Sequence, residues 1–213
     1  MICSLSANLF RFYTVIALDT SPTRLALARH NAQIYGVADR IEFILSDYLA
    51  FAESYLSLPL KPQSENSHRA RKIDVVFLSP PWGGPSYLAG SDDDISELVP
   101  SASQMAPSPT SSEHPSYSLS SILPIHGARL FGLTRRITRN IAFYLPRNTR
   151  LDEISALLSE ENTQEQHRNG EAAVTSEKIE VEEEWMGTKL KALTCYFGGL
   201  VTGQEGLWWS NMK

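Results

Sequence analysis

The sequence contains little cysteine and no long apolar run. Its 213 residues include two cysteines, Cys3 and Cys195, whose spacing suggests neither a local metal-binding knuckle nor a disulfide framework. This cysteine usage favours a reducing, intracellular compartment. No stretch approaches the roughly 20 apolar residues that a membrane-spanning helix needs. We therefore expect a soluble protein with neither a membrane segment nor a metal centre.

Acidic residues are absent from one long stretch of the chain. The net charge is −5, which argues against general binding to polyelectrolytes. Between Glu113 and Asp152 there is no aspartate or glutamate, and the stretch contains six arginines: Arg129, Arg135, Arg136, Arg139, Arg147 and Arg150. Such a patch could neutralise a few nucleic-acid phosphates, or it could be the solvated basic face of a helix. The charge pattern alone leaves both interpretations open.

Strand-like and helix-like patterns alternate along the chain. Short apolar runs predict strands at 13–18, 41–45, 73–78 and 141–145, and helical spacing predicts helices near 22–35, 46–55, 128–139 and 152–158. Two last strands, about 178–185 and 189–197, are predicted to form an antiparallel pair at the sheet edge. The alternation predicts an α/β fold with a doubly wound, mostly parallel sheet. Polar segments at about 90–121 and 160–175 predict a disordered insert and a mobile loop.

Two of the predicted strands are followed by an aspartate. Ligands of open α/β sheets bind beyond the carboxyl ends of the strands, and Asp19 and Asp47 stand at such ends. Asp19 could accept hydrogen bonds from both ribose hydroxyls of a nucleoside cofactor, and Asp47 could accept one from the exocyclic amine of adenine. Either carboxylate could instead cap the helix that follows it. Both interpretations stay open for both residues.

The third strand is followed by the motif Ser79-Pro80-Pro81-Trp82-Gly83-Gly84-Pro85. It fits the pattern [Asp/Asn/Ser]-Pro-Pro-[Tyr/Phe/Trp], which is shared by methyltransferases that act on planar amino nitrogens. The two prolines fix φ and keep the turn rigid, so that backbone carbonyls can point into a pocket. Ser79 and the Pro80 carbonyl can then accept hydrogen bonds from the target amine. Trp82 offers a face for base stacking, worth about 1–3 kcal/mol. The alternative is that the motif forms a rigid turn without a chemical role.

Four stretches of the chain together resemble the trimethylguanosine synthase family. They lie within residues 14–58, 73–89 and 127–201 and read VIALDTSPTRLALARHNAQIYGVADRIEFILSDYLAF, IDVVFLSPPWGGPSY, ITRNIAFYLPRNT and KLKALTCYFGGL. The resemblance implies a Rossmann-like, class I methyltransferase that uses S-adenosylmethionine. It implies transfer of methyl groups to the 2-amino group of the 7-methylguanosine cap of small nuclear and nucleolar RNA. It also implies a location in the nucleus, with the nucleolus or the cytoplasm as alternatives.

The resemblance also implies roles for residues at the strand ends. Asp19 would bind the ribose of the cofactor and Asp47 its adenine. Ser79, Pro80 and Pro81 would line the reaction centre.

Three further residues would recognise the capped RNA. Trp82 would stack on the methylated guanine, whose positive charge makes a favourable cation–π pair with an indole. Arg147 and Asn148, in the Pro-Arg-Asn stretch, would contact the cap or its phosphates.

One part of the family pattern has no counterpart in this sequence. The family carries a first strand and a glycine-rich loop of the type Asp-x-Phe-x-Gly-x-Gly-Gly-Asn, but residues 1–12 contain no glycine. A helical extension ahead of the family's core is also missing. We therefore expect a truncated chain or an incomplete gene model that binds the cofactor poorly or not at all and is inactive in the latter case. The neighbours of the missing central strand would lack a partner. Residues 4–12 could form a replacement strand or helix, but not the glycine turn.

The resulting domain division has three parts. Residues 1–12 form an atypical N-terminal segment, 13–201 form the methyltransferase domain, and 202–213 form a C-terminal tail. Two other functions also fit the motifs. One is a methyltransferase for nucleobase amines in ribosomal RNA or DNA, without a preference for 7-methylated guanine. The other is a cap-binding module without catalysis, which the missing glycine loop favours.

Overall fold

The computed structural model describes residues 2–5, 14–58, 72–82, 116–159 and 177–209. Its strands are β1 (Ile2–Leu5), β2 (Thr14–Asp19), β3 (Ile41–Leu45), β4 (Ile73–Leu78), β5 (Ile141–Pro146), β6 (Glu180–Met186) and β7 (Lys189–Tyr196). Its α-helices are α1 (Pro22–Ile34), α2 (Tyr48–Ser57), α3 (Gly127–Arg135) and α4 (151–159). The alternation predicted from the sequence is present. The predicted mobile loop at 160–175 lies outside the described residues.

The strands form one sheet in the order β3-β2-β1-β4-β5-β7-β6. The pairs β2–β3 and β4–β5 are parallel, whereas β7 is antiparallel to both β5 and β6. The predicted Rossmann-like sheet with an antiparallel C-terminal hairpin is therefore confirmed. The carboxyl ends of β2, β3, β4 and β5 meet at one edge, which we call the ligand edge.

β1 occupies the sheet position between β2 and β4 and runs antiparallel to both. Ile2 lies opposite Ala17 and Phe77, and Leu5 lies opposite Thr14 and Ile73. The expectation that β2 and β4 would lack a partner is therefore wrong, because an antiparallel strand pairs with the backbone of both neighbours. Its direction has a consequence: β1 begins at the ligand edge, and the chain leaves β1 at the opposite edge.

The core lies between the sheet and the helices α2, α3 and α4. The hydroxyls of Tyr48 in α2 and Thr134 in α3 share a buried hydrogen bond of 2.8 Å. Phe131 of α3 stacks on Phe143 of β5, with ring centroids 6.5 Å apart. Helix α1 lies on the other face, where the guanidinium of Arg29 is 4.8 Å from the ring centroid of Phe43. None of the described helices is long and apolar enough to cross a membrane.

Two segments differ from the division expected from sequence. Residues 116–121 fall in the predicted disordered insert, yet Tyr117 and Leu119 are buried, because these two side chains join the apolar core. The rest of that insert lies outside the described residues. The predicted C-terminal tail also differs, because a 3₁₀ turn at Glu205–Trp209 packs on the domain. The packing is so close that a Cβ added at Gly199 would lie 2.7 Å from the backbone nitrogen of Trp208.

Candidate functional site

The ligand edge carries all of the site residues predicted from the sequence. They follow the four parallel strands in two groups, Asp19 and Asp47 after β2 and β3, and residues 79–82 and 147–148 after β4 and β5. Because β1 lies between β2 and β4, it also separates the two groups. The backbone N–H of Ser46 donates to the Asp19 carbonyl oxygen at 3.1 Å, which holds the first group together.

Asp19 closes the turn between β2 and α1. Its Oδ1 accepts hydrogen bonds from the Ser21 backbone N–H at 2.7 Å and from Arg24 Nε at 3.1 Å. The residue that caps α1 is Ser21, whose hydroxyl accepts from the Arg24 N–H. The capping alternative for Asp19 is therefore wrong in detail, since this carboxylate orders the turn before the cap. It remains partly exposed at the ligand edge.

Asp47 is the N-cap of α2. Its Oδ1 accepts from the backbone N–H groups of Leu49 at 2.9 Å and Ala50 at 3.1 Å. The capping interpretation is thus confirmed for this residue. Because the residue is exposed and both bonds end on one oxygen, capping and ligand binding by the same carboxylate are compatible.

The Ser-Pro-Pro-Trp turn follows β4 directly. Pro80 is buried, whereas Ser79 and Pro81 are exposed and Trp82 is half-buried. The Trp82 ring lies 5.2 Å from the Tyr144 ring, centroid to centroid, at an interplanar angle of 33°. Its Nε1 donates to the Tyr144 carbonyl oxygen at 3.4 Å. The indole is therefore held against β5 by a ring contact and by a hydrogen bond.

A second turn follows β5. The Thr149 backbone N–H and hydroxyl both donate to the Pro146 carbonyl oxygen, at 3.1 and 2.7 Å. Arg147 is exposed, and its Nη1 donates to the Leu190 carbonyl oxygen of β7 at 3.4 Å. The Asn148 carbonyl oxygen accepts from the Tyr117 N–H at 2.8 Å. The turn thus lies beside the Ser-Pro-Pro-Trp turn, one strand further along the sheet.

The arginines that the charge pattern groups together differ in burial and in ion pairing. Arg135 is half-buried, its side chain is only 8% exposed, and it forms a bidentate ion pair with Glu177, at 2.9 and 2.7 Å. Arg150 pairs with Asp152 at 2.6 Å, and this hydrogen bond lowers the pKa of Asp152. Neither interpretation of the patch fits Arg135, because its charge is neutralised inside the protein. Arg129, Arg136 and Arg147 are exposed.

Sequence reasoning missed three residues that shape this site. Tyr144 supports Trp82, Tyr117 binds the turn after β5, and Glu153 of α4 binds the segment next to Tyr117. Tyr144 lies in a strand that is almost entirely buried on both faces, so no alternation of polar and apolar residues distinguishes it. Tyr117 and Glu153 act through contacts distant in sequence, which leave no local pattern.

Five of the seven strands point in one direction, the last two form an antiparallel hairpin, and helices cover both faces. This architecture, with the Ser-Pro-Pro-Trp turn at the ligand edge, is that of a Rossmann-like, class I methyltransferase. A family model described as RNA cap guanine-N2 methyltransferase matches residues 5–200. The chain therefore belongs to the RNA cap guanine-N2 methyltransferase family.

Curated relatives agree with this assignment. The chain is 32% identical over 147 residues to the trimethylguanosine synthase of Schizosaccharomyces pombe, covering 68% of the chain and 47% of the relative. It is 26% identical over 145 residues to the Saccharomyces cerevisiae trimethylguanosine synthase, covering 68% and 35%. A release factor glutamine methyltransferase of Nitratidesulfovibrio vulgaris is 30% identical over 99 residues, covering 46% and 28%. The chain thus spans less than half the length of each of these relatives.

Proposed function

We propose that the protein transfers methyl groups from S-adenosylmethionine to the 2-amino group of the 7-methylguanosine cap of small nuclear and nucleolar RNA. The observation that carries the proposal is the rigid Ser-Pro-Pro-Trp turn at the ligand edge, with its indole fixed on Tyr144. Family membership and two relatives named trimethylguanosine synthase support it. For such a substrate we expect a location in the nucleus, with the nucleolus or the cytoplasm as alternatives.

The turn after β4 has the chemistry that a planar amine needs. Ser79 is exposed and Pro80 is buried, and Pro80 fixes the backbone beside Ser79. The Ser79 hydroxyl and the Pro80 carbonyl accept hydrogen bonds from the N–H groups of the amine, which leaves the nitrogen lone pair to react. Trp82 holds the guanine ring by stacking. Most of the catalytic effect is then positioning of the amine.

The indole of Trp82 suits a methylated guanine in particular. Methylation at N7 gives the base a positive charge, and indole is the aromatic side chain that attracts cations most strongly. The hydrogen bond from Nε1 to the Tyr144 carbonyl keeps the ring in place before the base arrives. Little ordering is then required on binding.

The described residues fit the nucleoside part of S-adenosylmethionine. Asp19 and Asp47 lie at neighbouring strand ends, joined through Ser46, and would bind the ribose and the adenine. When bound, this cofactor supplies an electrophilic methyl group. We expect the methionine part of the cofactor to be bound less well, because the chain leaves β1 at the edge of the sheet opposite the site. Weak cofactor binding is the consequence we expect.

Contacts with the RNA phosphates are assigned to the turn after β5. Arg147 is exposed there, and its guanidinium can form charge-assisted hydrogen bonds with phosphate oxygens. Its guanidinium donates to the Leu190 carbonyl oxygen at 3.4 Å and keeps further N–H donors for the phosphates. Asn148 would contact the cap beside it.

The test uses Trp82→Ala and isothermal titration calorimetry with 7-methyl-GTP, GTP and S-adenosylmethionine. We expect the variant to lose 7-methyl-GTP affinity by about 10–100-fold, because stacking contributes about 1–3 kcal/mol, and to keep its affinity for S-adenosylmethionine. Trp185→Ala is the matched control, since Trp185 lies on the exposed edge strand β6. Loss of both affinities in Trp82→Ala would contradict the assigned role.

Transfer of labelled methyl groups separates the remaining functions. Equal methylation of GTP and 7-methyl-GTP would exclude cap specificity and favour a methyltransferase for nucleobase amines in ribosomal RNA or DNA. Binding of 7-methyl-GTP without any binding of S-adenosylmethionine would leave a cap-binding module without catalysis. The observation that favours a cap-binding module is that β1 runs antiparallel to β2 and β4.

A further inference from the structure

The turn that carries Arg147 and Asn148 is overlaid by a short segment, residues 117–119, which we call the strap. The Tyr117 N–H donates to the Asn148 carbonyl oxygen at 2.8 Å, and the Arg150 N–H donates to the Tyr117 carbonyl oxygen at 3.0 Å. Tyr117 thus forms a parallel bridge with Thr149. These bonds make the position of the turn depend on that of the strap.

A single carboxylate of α4 holds the strap. Glu153 Oε2 accepts the Leu119 N–H at 2.7 Å and the Ser118 hydroxyl at 3.1 Å. Glu153 Oε1 lies 3.5 Å from Arg150 Nη1. One side chain therefore contacts the strap with one oxygen and the end of the turn with the other.

The ring of Tyr117 adds packing to the strap. Tyr117 is 5% exposed, and among the residues that the structure describes its buried hydroxyl has no hydrogen-bond partner. A buried unpaired hydroxyl is unfavourable, so polar anchoring of the strap falls to its backbone and to Glu153. Tyr117→Phe consequently removes an atom that the strap does not need.

We propose that Glu153 is a positioning residue for cap recognition: it fixes the strap, and through the strap it sets where Arg147 and Asn148 meet the phosphates of the cap. The inference rests on the proposed function, because it assigns a phosphate contact to that turn. It gives Glu153 no contact with the substrate. The effect on binding passes through Tyr117 and the backbone of Asn148.

The first test compares Glu153→Ala with Tyr117→Phe by calorimetry. We expect Glu153→Ala to weaken 7-methyl-GTP binding on the order of tenfold, as for directly coupled residues. Binding of 7-methylguanosine, which has no phosphate, and of S-adenosylmethionine should change less than twofold. Tyr117→Phe should match the wild type, and Glu153→Gln, which keeps an acceptor oxygen for the Leu119 N–H, should recover part of the loss.

The second test does not depend on a ligand. Hydrogen–deuterium exchange should accelerate both in peptides covering 116–121 and in peptides covering 147–150 when Glu153 is replaced by alanine, and in neither for Tyr117→Phe. If Glu153→Ala does not fold, Ser118→Ala takes its place. It removes one bond to the same carboxylate and also the acceptor of the Ser120 N–H, so faster exchange in peptides covering 147–150 is then the deciding result.

The outcomes of these tests separate the two proposals. A wild-type protein that fails to bind 7-methyl-GTP contradicts the proposed function. A wild-type protein that binds it, with unchanged affinity in Glu153→Ala or with faster exchange in the strap alone, overturns the role of Glu153 and leaves the proposed function intact. A lower melting temperature with every affinity unchanged is the result of a purely structural role.

Discussion

Replacing Glu177 with alanine removes the carboxylate that neutralises Arg135 between α3 and the C-terminal hairpin. The side chains of the pair are only 8% and 10% exposed, and their closest nitrogen–oxygen distance is 2.7 Å. Glu177 Oε1 also accepts the Gly198 N–H at 2.9 Å. The substitution therefore removes the Glu177 carboxylate from a guanidinium that is almost fully covered, and it removes the acceptor of a backbone donor.

Breaking a buried ion pair from one side costs about 3–5 kcal/mol. For a chain of this length, 1 kcal/mol corresponds to about 2–4 °C in melting temperature, so we expect Glu177→Ala to melt roughly 6–20 °C below the wild type. Asp152→Ala is the matched control. It breaks an ion pair with Arg150 of almost the same length, 2.6 Å, but the two side chains are 47% and 66% exposed. Solvent screens such a pair, and little change is expected.

Calorimetric melting of both variants and of Arg135→Met/Glu177→Leu provides the measurement. The double variant removes both charges and should melt above Glu177→Ala, because apolar side chains of similar volume leave no guanidinium to be desolvated. Equal melting temperatures for Glu177→Ala and Asp152→Ala would refute the reasoning. So would a double variant that is less stable than the single one.

Two other predictions concern the same region of the protein. Gly198→Ala should be clearly more destabilising in urea unfolding than Gly36→Ala: both glycines have positive φ, 69° and 66°, but only at Gly198 would the added Cβ meet a backbone oxygen, Arg139 O, at 2.6 Å. Equal losses of unfolding free energy in the two variants would show that the positive φ alone determines the cost. Burial raises the pKa of Cys195 from 9.0 to about 12, so iodoacetamide should modify it far more slowly in the native protein than in denaturant at pH 8.5. Peptide mass spectrometry measures both rates, and rapid native labelling would contradict the burial of this thiol.

The sequence predicts most of the sheet correctly because buried parallel strands are continuous apolar runs. β3 and β4 have the predicted bounds. The turn at Ser79–Trp82 was predictable as well, since two prolines directly after such a run restrict the backbone whatever the surroundings. These features depend on neighbouring residues along the chain.

Features that depend on distant residues were not predictable. The Arg135–Glu177 pair joins residues 42 positions apart, so Arg135 looked like one more surface charge. The direction of β1 is a similar case. Side chains alternate along a strand whichever way it runs, and only its pairing with β2 and β4 decides the direction.

The reversed β1 separates the two halves of the site. Asp19 and Asp47 depend on the parallel pair β2–β3, and the Ser-Pro-Pro-Trp turn depends on the parallel pair β4–β5, in which Leu78 lies opposite Phe143. The hydrogen bonds and ring contacts described for each half lie within its own pair of strands. Affinity for the cap and affinity for the cofactor should therefore respond independently to substitution. Weak cofactor binding in this chain would then say nothing against recognition of the cap.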